Sequence, residues 1–422
     1  MPSPVALVGG RVLTPAGLES DTTITFDGGR IAALGAPASG AMPLCARGLL
    51  VLPGIVDMHG DAFERQLMPR PGVHFDAGLA LLDTDRQLVA NGITTAFHAV
   101  TYSWEPGLRG PDAGRAFVAA LEAMRSVLGC DTRLHLRWET FNLDVEDEVA
   151  GWLAEGIISL LAFNDHTPAI VKKSGHRDAM LKYGERSGLD LNDFRALLDR
   201  VAARRAAVPA AIERLAAAAR AGGVPMASHD DATSETRRWF HSLGCNISEF
   251  PMNEPTARTA REEGSDVIMG APNVVRGGSH LALVSAADMI GKGLCTILSS
   301  DYYYPALLHA VWRLGRDGVC PLAAAWRLVS ENPARAAGLN DRGALAPGKR
   351  ADVVVVDDSR PDMPRVVATF VAGKPVFFDE LVFFKDGFKD EAAAQPNPNR
   401  VDSDRLAIPR SLGAGESSGR AL

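Results

Sequence analysis

The sequence predicts an α/β fold: an eightfold (β/α) TIM-like barrel, with a small β-sandwich domain formed from both chain ends. Three observations predict it. Eight short apolar runs alternate with segments of helical character in the middle of the chain, the pattern of a parallel sheet built from crossover units. Ionisable residues gather at the carboxyl ends of those runs, where such a barrel builds its site. Alternating, Gly-punctuated runs occupy both ends of the chain, as short antiparallel strands do.

The first barrel strand is the short run Ile55-Val56, entered through Pro53-Gly54 and ending in Asp57-Met58-His59-Gly60-Asp61. Side chains of a strand alternate with period two, so His59 and Asp61 share a face at its carboxyl end. Imidazole nitrogen beside carboxylate oxygen is a ligand set suited to zinc and its first-row neighbours. Alone, His-x-Asp is a weak signal and reads more readily as an ordinary surface turn. Its recurrence in kind along the chain gives it weight.

The next runs are Gly92 to His98, Arg133 to Glu139, and Ile157 to Phe163, which leads to Asn164, Asp165 and His166. After a long polar and helical stretch come Val224 to His229, followed by Asp230 and Asp231, and then Asn246 to Glu249. The last two are Asp266 to Gly270, leading to Asn273, and Leu294 to Leu298, leading to Asp301. Segments such as Ala113 to Leu128 and Arg204 to Ala221 supply the intervening helices. At the ends, Val5 to Val8, Thr22 to Phe26 and Arg30 to Leu34 read as strands, as do Asp352 to Asp357, Val366 to Val371 and Lys374 to Phe378. The expected division is residues 1–50 with 343–385 for the small domain and 51–342 for the barrel. Residues 386–422, rich in Ala, Pro, Asn, Ser and Gly, read as a poorly ordered tail.

Bulk properties bound the function. A net charge of −7 gives no reason to expect nucleic acid or an anionic membrane as partner. No apolar run approaches the ~18 residues of a membrane span. The start MPSPVALVGG lacks the basic and apolar regions of a signal peptide. Five scattered cysteines without a Cys-x-x-Cys fit reduced thiols, and hence a cytoplasmic protein. A homo-oligomer stays open.

The blocks Pro53-Gly-Ile-Val-Asp-Met-His59, Asn332-Pro-Ala334 and Gly343 to Val354 resemble the amidohydrolase superfamily of metal hydrolases. HGDAFERQLMPRPGV, LHLRWE, SHDDAT, EFP, MGAPNVVRGGSH and ILSSDYYYP are similar to one family within it. Its members are the α-D-ribose 1-methylphosphonate 5-triphosphate diphosphatases of phosphonate catabolism by the carbon–phosphorus lyase pathway. The resemblance runs from about Pro53 to Asp357. It implies metal-dependent hydrolysis of a ribose 5-triphosphate to the 5-phosphate plus diphosphate.

The resemblance also implies a ligand set. The chain has His59-x-Asp61 where most of the superfamily has His-x-His, and no lysine ends the third or fourth strand. Glu139 is the best substitute for the carboxylated lysine that bridges two metals in many members. His166 and His229 are further imidazole ligands. Asp301 matches the aspartate that binds metal and takes the proton from attacking water. The expected set is therefore His59, Asp61, Glu139, His166, His229 and Asp301, holding one or two divalent ions, zinc foremost. His98, Asp230 and Glu249 are expected to orient these ligands, though His98 and His135 equally suit satisfied core histidines.

A triphosphate needs cationic partners, and arginine forks suit phosphate oxygens. Arg65 and Arg70 follow the first strand, Lys172, Lys173 and Arg177 follow His166, and Arg276 and His280 follow the seventh strand. These are the candidate substrate contacts. The competing activity is hydrolysis of an amide bond by a deacetylase or cyclic amidase, which uses the same barrel and ligands on a carbonyl.

Overall fold

The computed structural model describes residues 4–35, 39–278 and 284–379. The expected tail at 386–422, residues 380–385 and His280 lie outside the described residues.

The amino-terminal strands are β1 (Val5–Thr14), β2 (Gly17–Asp27), β3 (Arg30–Gly35), β4 (Met42–Cys45) and β5 (Leu50–Pro53). The barrel strands follow as β6 (Ile55–Gly60), β7 (Ile93–Tyr102), β8 (Asp131–Glu139) and β9 (Ile158–Asn164), then β10 (Met226–His229), β11 (Ile247–Glu249), β12 (Asp266–Gly270) and β13 (Ile297–Ser299). The chain returns to the first sheet with β14 (Val353–Asp357), β15 (Arg365–Val371) and β16 (Lys374–Phe378).

The sheet from the chain ends runs β16-β15-β14-β5-β1-β2-β3, with β4 also paired to β1. Strand β14 joins the two ends: Val353 lies opposite Pro53 and Val356 opposite Leu50, antiparallel. Two pairings depart from the expected antiparallel pattern, because β4 and β5 both run parallel to β1. After the β2–β3 hairpin the chain comes back beside β1 in its own direction, pairing first with Val5 to Val8 and then with Arg11 and Val12. Four consecutive valines, Val353 to Val356, are fully buried in β14, where β-branched side chains pack well.

The barrel sheet is parallel in the order β6 to β13. All eight strands overlap the eight apolar runs. A parallel bridge between Gly60 and Asp301 brings its last edge to its first, with Asp301 N–H donating to His59 O and Asp61 N–H to Asp301 O, each at 2.9 Å. The lower barrel interior is apolar: Val56, Met58, Phe97, Leu160, Ala162, Ala227, Ile247, Ile268 and Ile297 form one buried cluster. Strand β8 shows the alternation best. Leu134, Leu136 and Trp138 pack outward against the helix layer, so His135, Arg137 and Glu139 share the interior face. Helices Pro111–Met124 and Val208–Ala221 lie where helical segments were expected. Between β9 and the second of these is a helical insertion, Thr167–Lys172, Arg177–Ser187 and Leu191–Ala202.

Candidate metal centre

Closing the barrel brings His59 and Asp61 against Asp301. Atoms of these three that could ligate a metal lie within 4.8 Å of one another. Beneath them, the buried Asp57 carboxylate accepts from Ser300 N–H at 3.0 Å, Ser300 Oγ at 2.5 Å and His59 N–H at 3.3 Å. Burial pushes the Asp57 pKa to about 6, against the pull of those bonds. A Cβ on Gly60 would sit 2.8 Å from Asp57 Oδ2 and 2.9 Å from Ser300 Oγ. Only glycine permits that approach.

Glu249, at the end of β11 and completely buried, reaches two histidines at once. His59 Nδ1 lies 3.1 Å from its Oε1, and His229 Nδ1 lies 3.1 Å from its Oε2. His135 Nε2 is 3.7 Å from Oε1, and its Nδ1 is 3.0 Å from Met58 O. Burial opposes ionisation of Glu249, yet the three imidazoles around it hold its pKa well below the usual range. Burial also drives His59 down to about 4, so the imidazole is neutral at pH 7. A carboxylate acceptor at Nδ1 fixes the proton there and leaves Nε2 with its lone pair. That is how carboxylates orient metal-binding histidines.

A second cluster lies alongside. His166, His229 and Asp230 also offer ligand atoms within 4.8 Å of one another, as do His59, His229 and Glu249. His166 Nδ1 is 2.5 Å from Glu139 Oε1, and its Nε2 is 3.4 Å from Asp230 Oδ2. Burial disfavours the charged imidazole, but Glu139 and Asp230 override it and raise His166 to about 9. Glu139 is thus engaged with His166 and falls in none of the three clusters among the described residues.

Arg137 enters the same space and was not among the expected site residues. It is buried on the interior face of β8, with Nη1 3.2 Å from Asp61 Oδ2 and Nη2 3.4 Å from His229 Nε2. Its spacing could have revealed it, since it stands two residues from both His135 and Glu139. Burial raises Asp301 to about 7, with the Asp61 charge adding to it and Arg137 opposing it.

Three residues at this rim hold left-handed backbone: Asp230 (φ 56°), Phe250 (φ 51°) and Asp301 (φ 55°). Each lies one or two residues past a strand, on β10, β11 and β13 respectively. Non-glycine residues seldom adopt this conformation, and its clustering is characteristic of functional sites. The turn it forces aims Asp230 and Asp301 back over the barrel mouth.

The mouth is a cavity of about 180 Å³ whose lining includes His59, Asp61, Arg137, His229, Asp230 and Asp301. Beneath the rim, the buried side chains of Asn164 and Ser299 carry polar atoms with no hydrogen-bond partner. Both share the interior face of their strands with cluster residues, Asn164 with Ala162 and Ser299 with Ile297. Nitrogen and oxygen donors with unsatisfied polar atoms behind them fit a hydrated divalent ion.

The expected substrate contacts lie farther out. Arg65, Arg70, Lys172, Lys173, Arg177 and Arg276 are exposed, and none lines the cavity, where Arg137 is the one lysine or arginine among the described residues. Arg276 comes nearest in sequence, three residues beyond the lining residue Asn273 on helix Ala271–Arg276. His98 stands apart from the ligands it was expected to orient. Phe97 takes the interior face of β7, so His98 turns outward against Phe63 and Phe117, at ring separations of 5.5 and 5.7 Å. His135 is the histidine that backs the site.

Fold and site together define a metal hydrolase barrel of the amidohydrolase type. Residues 166–377 match the amidohydrolase family model, and the chain belongs to the amidohydrolase family. It is 36% identical over 313 residues to the α-D-ribose 1-methylphosphonate 5-triphosphate diphosphatase of Escherichia coli (strain K12), covering 72% of this chain and 82% of that one. An adenine deaminase of Methylobacterium sp. (strain 4-46) is 26% identical over 349 residues, which are 80% of this chain and 52% of the deaminase. Among solved structures, molinate hydrolase superposes with a TM-score of 0.60 at 15% identity, covering 94% of this chain and 98% of that one. A putative prolidase from Bifidobacterium longum superposes with a TM-score of 0.58 at 17% identity, covering 93% and 99%.

Proposed function

We propose that this protein hydrolyses α-D-ribose 1-methylphosphonate 5-triphosphate to the 5-phosphate, releasing diphosphate. The observation that carries this reading is the 36% identity to the Escherichia coli diphosphatase across 82% of its length. The cavity supports it by offering a buried guanidinium, the kind of partner that phosphate oxygens need.

His59, Asp61 and Asp301 would hold a divalent ion, with His229 adjoining through their shared partner Glu249. The mixed imidazole and carboxylate set favours zinc. When bound, the ion supplies Lewis acidity toward a phosphoryl oxygen and toward water. Asp301, which faces the cavity, would accept a proton from water at a carboxylate oxygen, and the charge of a cation held beside it would favour its ionised form. Glu249 holds His59 and His229 in one tautomer throughout. Arg65, Arg70 and Arg276, with Lys172, Lys173 and Arg177, remain the candidates for the outer phosphates, since all follow barrel strands at their carboxyl ends. A cytoplasmic setting is supported by five unpaired cysteines.

Diphosphate release, assayed across ribose 5-triphosphates and N-acyl compounds with metal content measured on the same sample, tests the proposal. Turnover of the triphosphate is expected. Turnover of an N-acyl compound alone would replace it with amide hydrolysis.

A further inference from the structure

Arg137 occupies an unusual place for an arginine. Glu249 fixes the proton of His229 on Nδ1, so Nε2 presents the lone pair that would otherwise go to a metal. Arg137 Nη2 lies 3.4 Å from that atom, and Nη1 lies 3.2 Å from Asp61 Oδ2. One guanidinium thus faces two of the donors that the adjoining clusters offer to a cation. It is held there by burial on the interior face of β8, between His135 and Glu139. The other donors of the second cluster are engaged with each other, since His166 lies between Glu139 and Asp230.

We propose that Arg137 is a built-in second cation, filling the position of a second divalent ion so that the centre binds one ion, on the His59–Asp61–Asp301 side. The phosphate chain then meets one metal and one guanidinium inside the cavity. This inference rests on reading the cavity as a metal hydrolase site. An arginine suits the task because it stays charged at every working pH and presents several donors in a fixed plane. A divalent ion placed against His229 Nε2 and Asp230 would meet that charge at close range with little water between them.

The test is stoichiometry, read independently of turnover. Chelator-stripped protein titrated with zinc by calorimetry, with bound metal counted by elemental analysis, is expected to take up one tight equivalent. Arg137→Gln removes the charge and should reveal a second equivalent, its affinity rising roughly ten- to a hundredfold, the ordinary reach of groups beside metal ligands. Arg137→Lys keeps the charge and should stay at one. Two tight equivalents in the unaltered protein would overturn the inference, as would a folded Arg137→Gln protein that still binds one. No zinc bound at all would remove the metal centre and this inference together. Should Arg137→Gln fail to fold, Arg137→Met, which also removes the charge while keeping an unbranched side chain, takes its place, with the same two counts deciding. A one-equivalent centre that releases no diphosphate would sink the substrate reading and leave this one standing.

Discussion

Glu249 accepts from His59 Nδ1 at 3.1 Å across a separation of 190 residues, and its other oxygen lies as close to His229 Nδ1. One buried carboxylate therefore sets the tautomer of two histidines on different strands. Glu249→Gln keeps the shape but offers one oxygen and one amide in place of two acceptors. One histidine then loses its acceptor, and metal affinity should fall roughly ten- to a hundredfold. Metal retained after dialysis against a graded chelator series measures this. Retention equal to the unaltered protein would show that the histidines need no such partner.

Asp301 closes the barrel through its backbone and faces the cavity through its carboxylate. Asp301→Asn preserves one oxygen and the main-chain bridge, so much of the metal should stay. The rate should drop by about 10²–10⁴, the scale of lost general-base help. Turnover within a few-fold of normal, with metal present, would assign the proton to another group such as Asp230.

Much of this was legible in the sequence, for identifiable reasons. Each barrel strand carries an apolar run ending in polar residues, so β6 to β13 could be placed by pattern. His59, Asp61 and Asp301 stand at such ends, and the fold brings the three together. Arg137 was not legible, because a base inside Leu-His-Leu-Arg-Trp reads as a solvated position until the alternation of β8 puts it inside. The grip of Glu249 on His59 was equally hidden, since no local pattern links residues so far apart. Nor could pattern give the direction of β4 and β5, which depends on where the chain crosses back beside β1.

The foot of β8 predicts an acid limb of stability. Asp131 accepts from Arg133 at 3.1 Å, Arg342 at 2.6 Å and Arg350 at 2.7 Å. These bonds tie the barrel to the segment that leads into β14. Burial alone would raise its pKa, but the three guanidinium groups outweigh it and hold the value at about 2. A depressed folded pKa stabilises the fold at pH above the unfolded value near 3.8, and that contribution is lost as pH falls toward 2. The size is on the order of 2 kcal/mol. Thermal melts should therefore show Asp131→Asn destabilised at pH 7, the gap narrowing as pH drops through 4 and closing near 2. A gap independent of pH would mean that packing, not charge, carries the effect.

Arg276 decides whether the loops after the strands reach the substrate. It ends helix Ala271–Arg276, whose Asn273 lines the cavity, and residues three apart on a helix lie on one side. Gly277 follows in the left-handed conformation (φ 82°) and caps the helix, so the arginine's position is set by a rigid turn. It is exposed and forms no ion pair with any described residue, so removing it should leave the melting temperature unchanged. A triphosphate extends beyond a pocket of this size and would place its outer phosphates near the rim. Arg276→Ala should then raise KM roughly five- to tenfold, somewhat less than a buried charged hydrogen bond is worth, because water competes at the rim. Lysine at this position should recover part of the loss, since it keeps the charge without the two-pronged geometry. The same substitution should leave the zinc count untouched, which separates this effect from one on the metal centre. An unchanged KM in a protein that melts normally would remove Arg276 from the substrate's path and shift the phosphate contacts to Arg65 and Arg70.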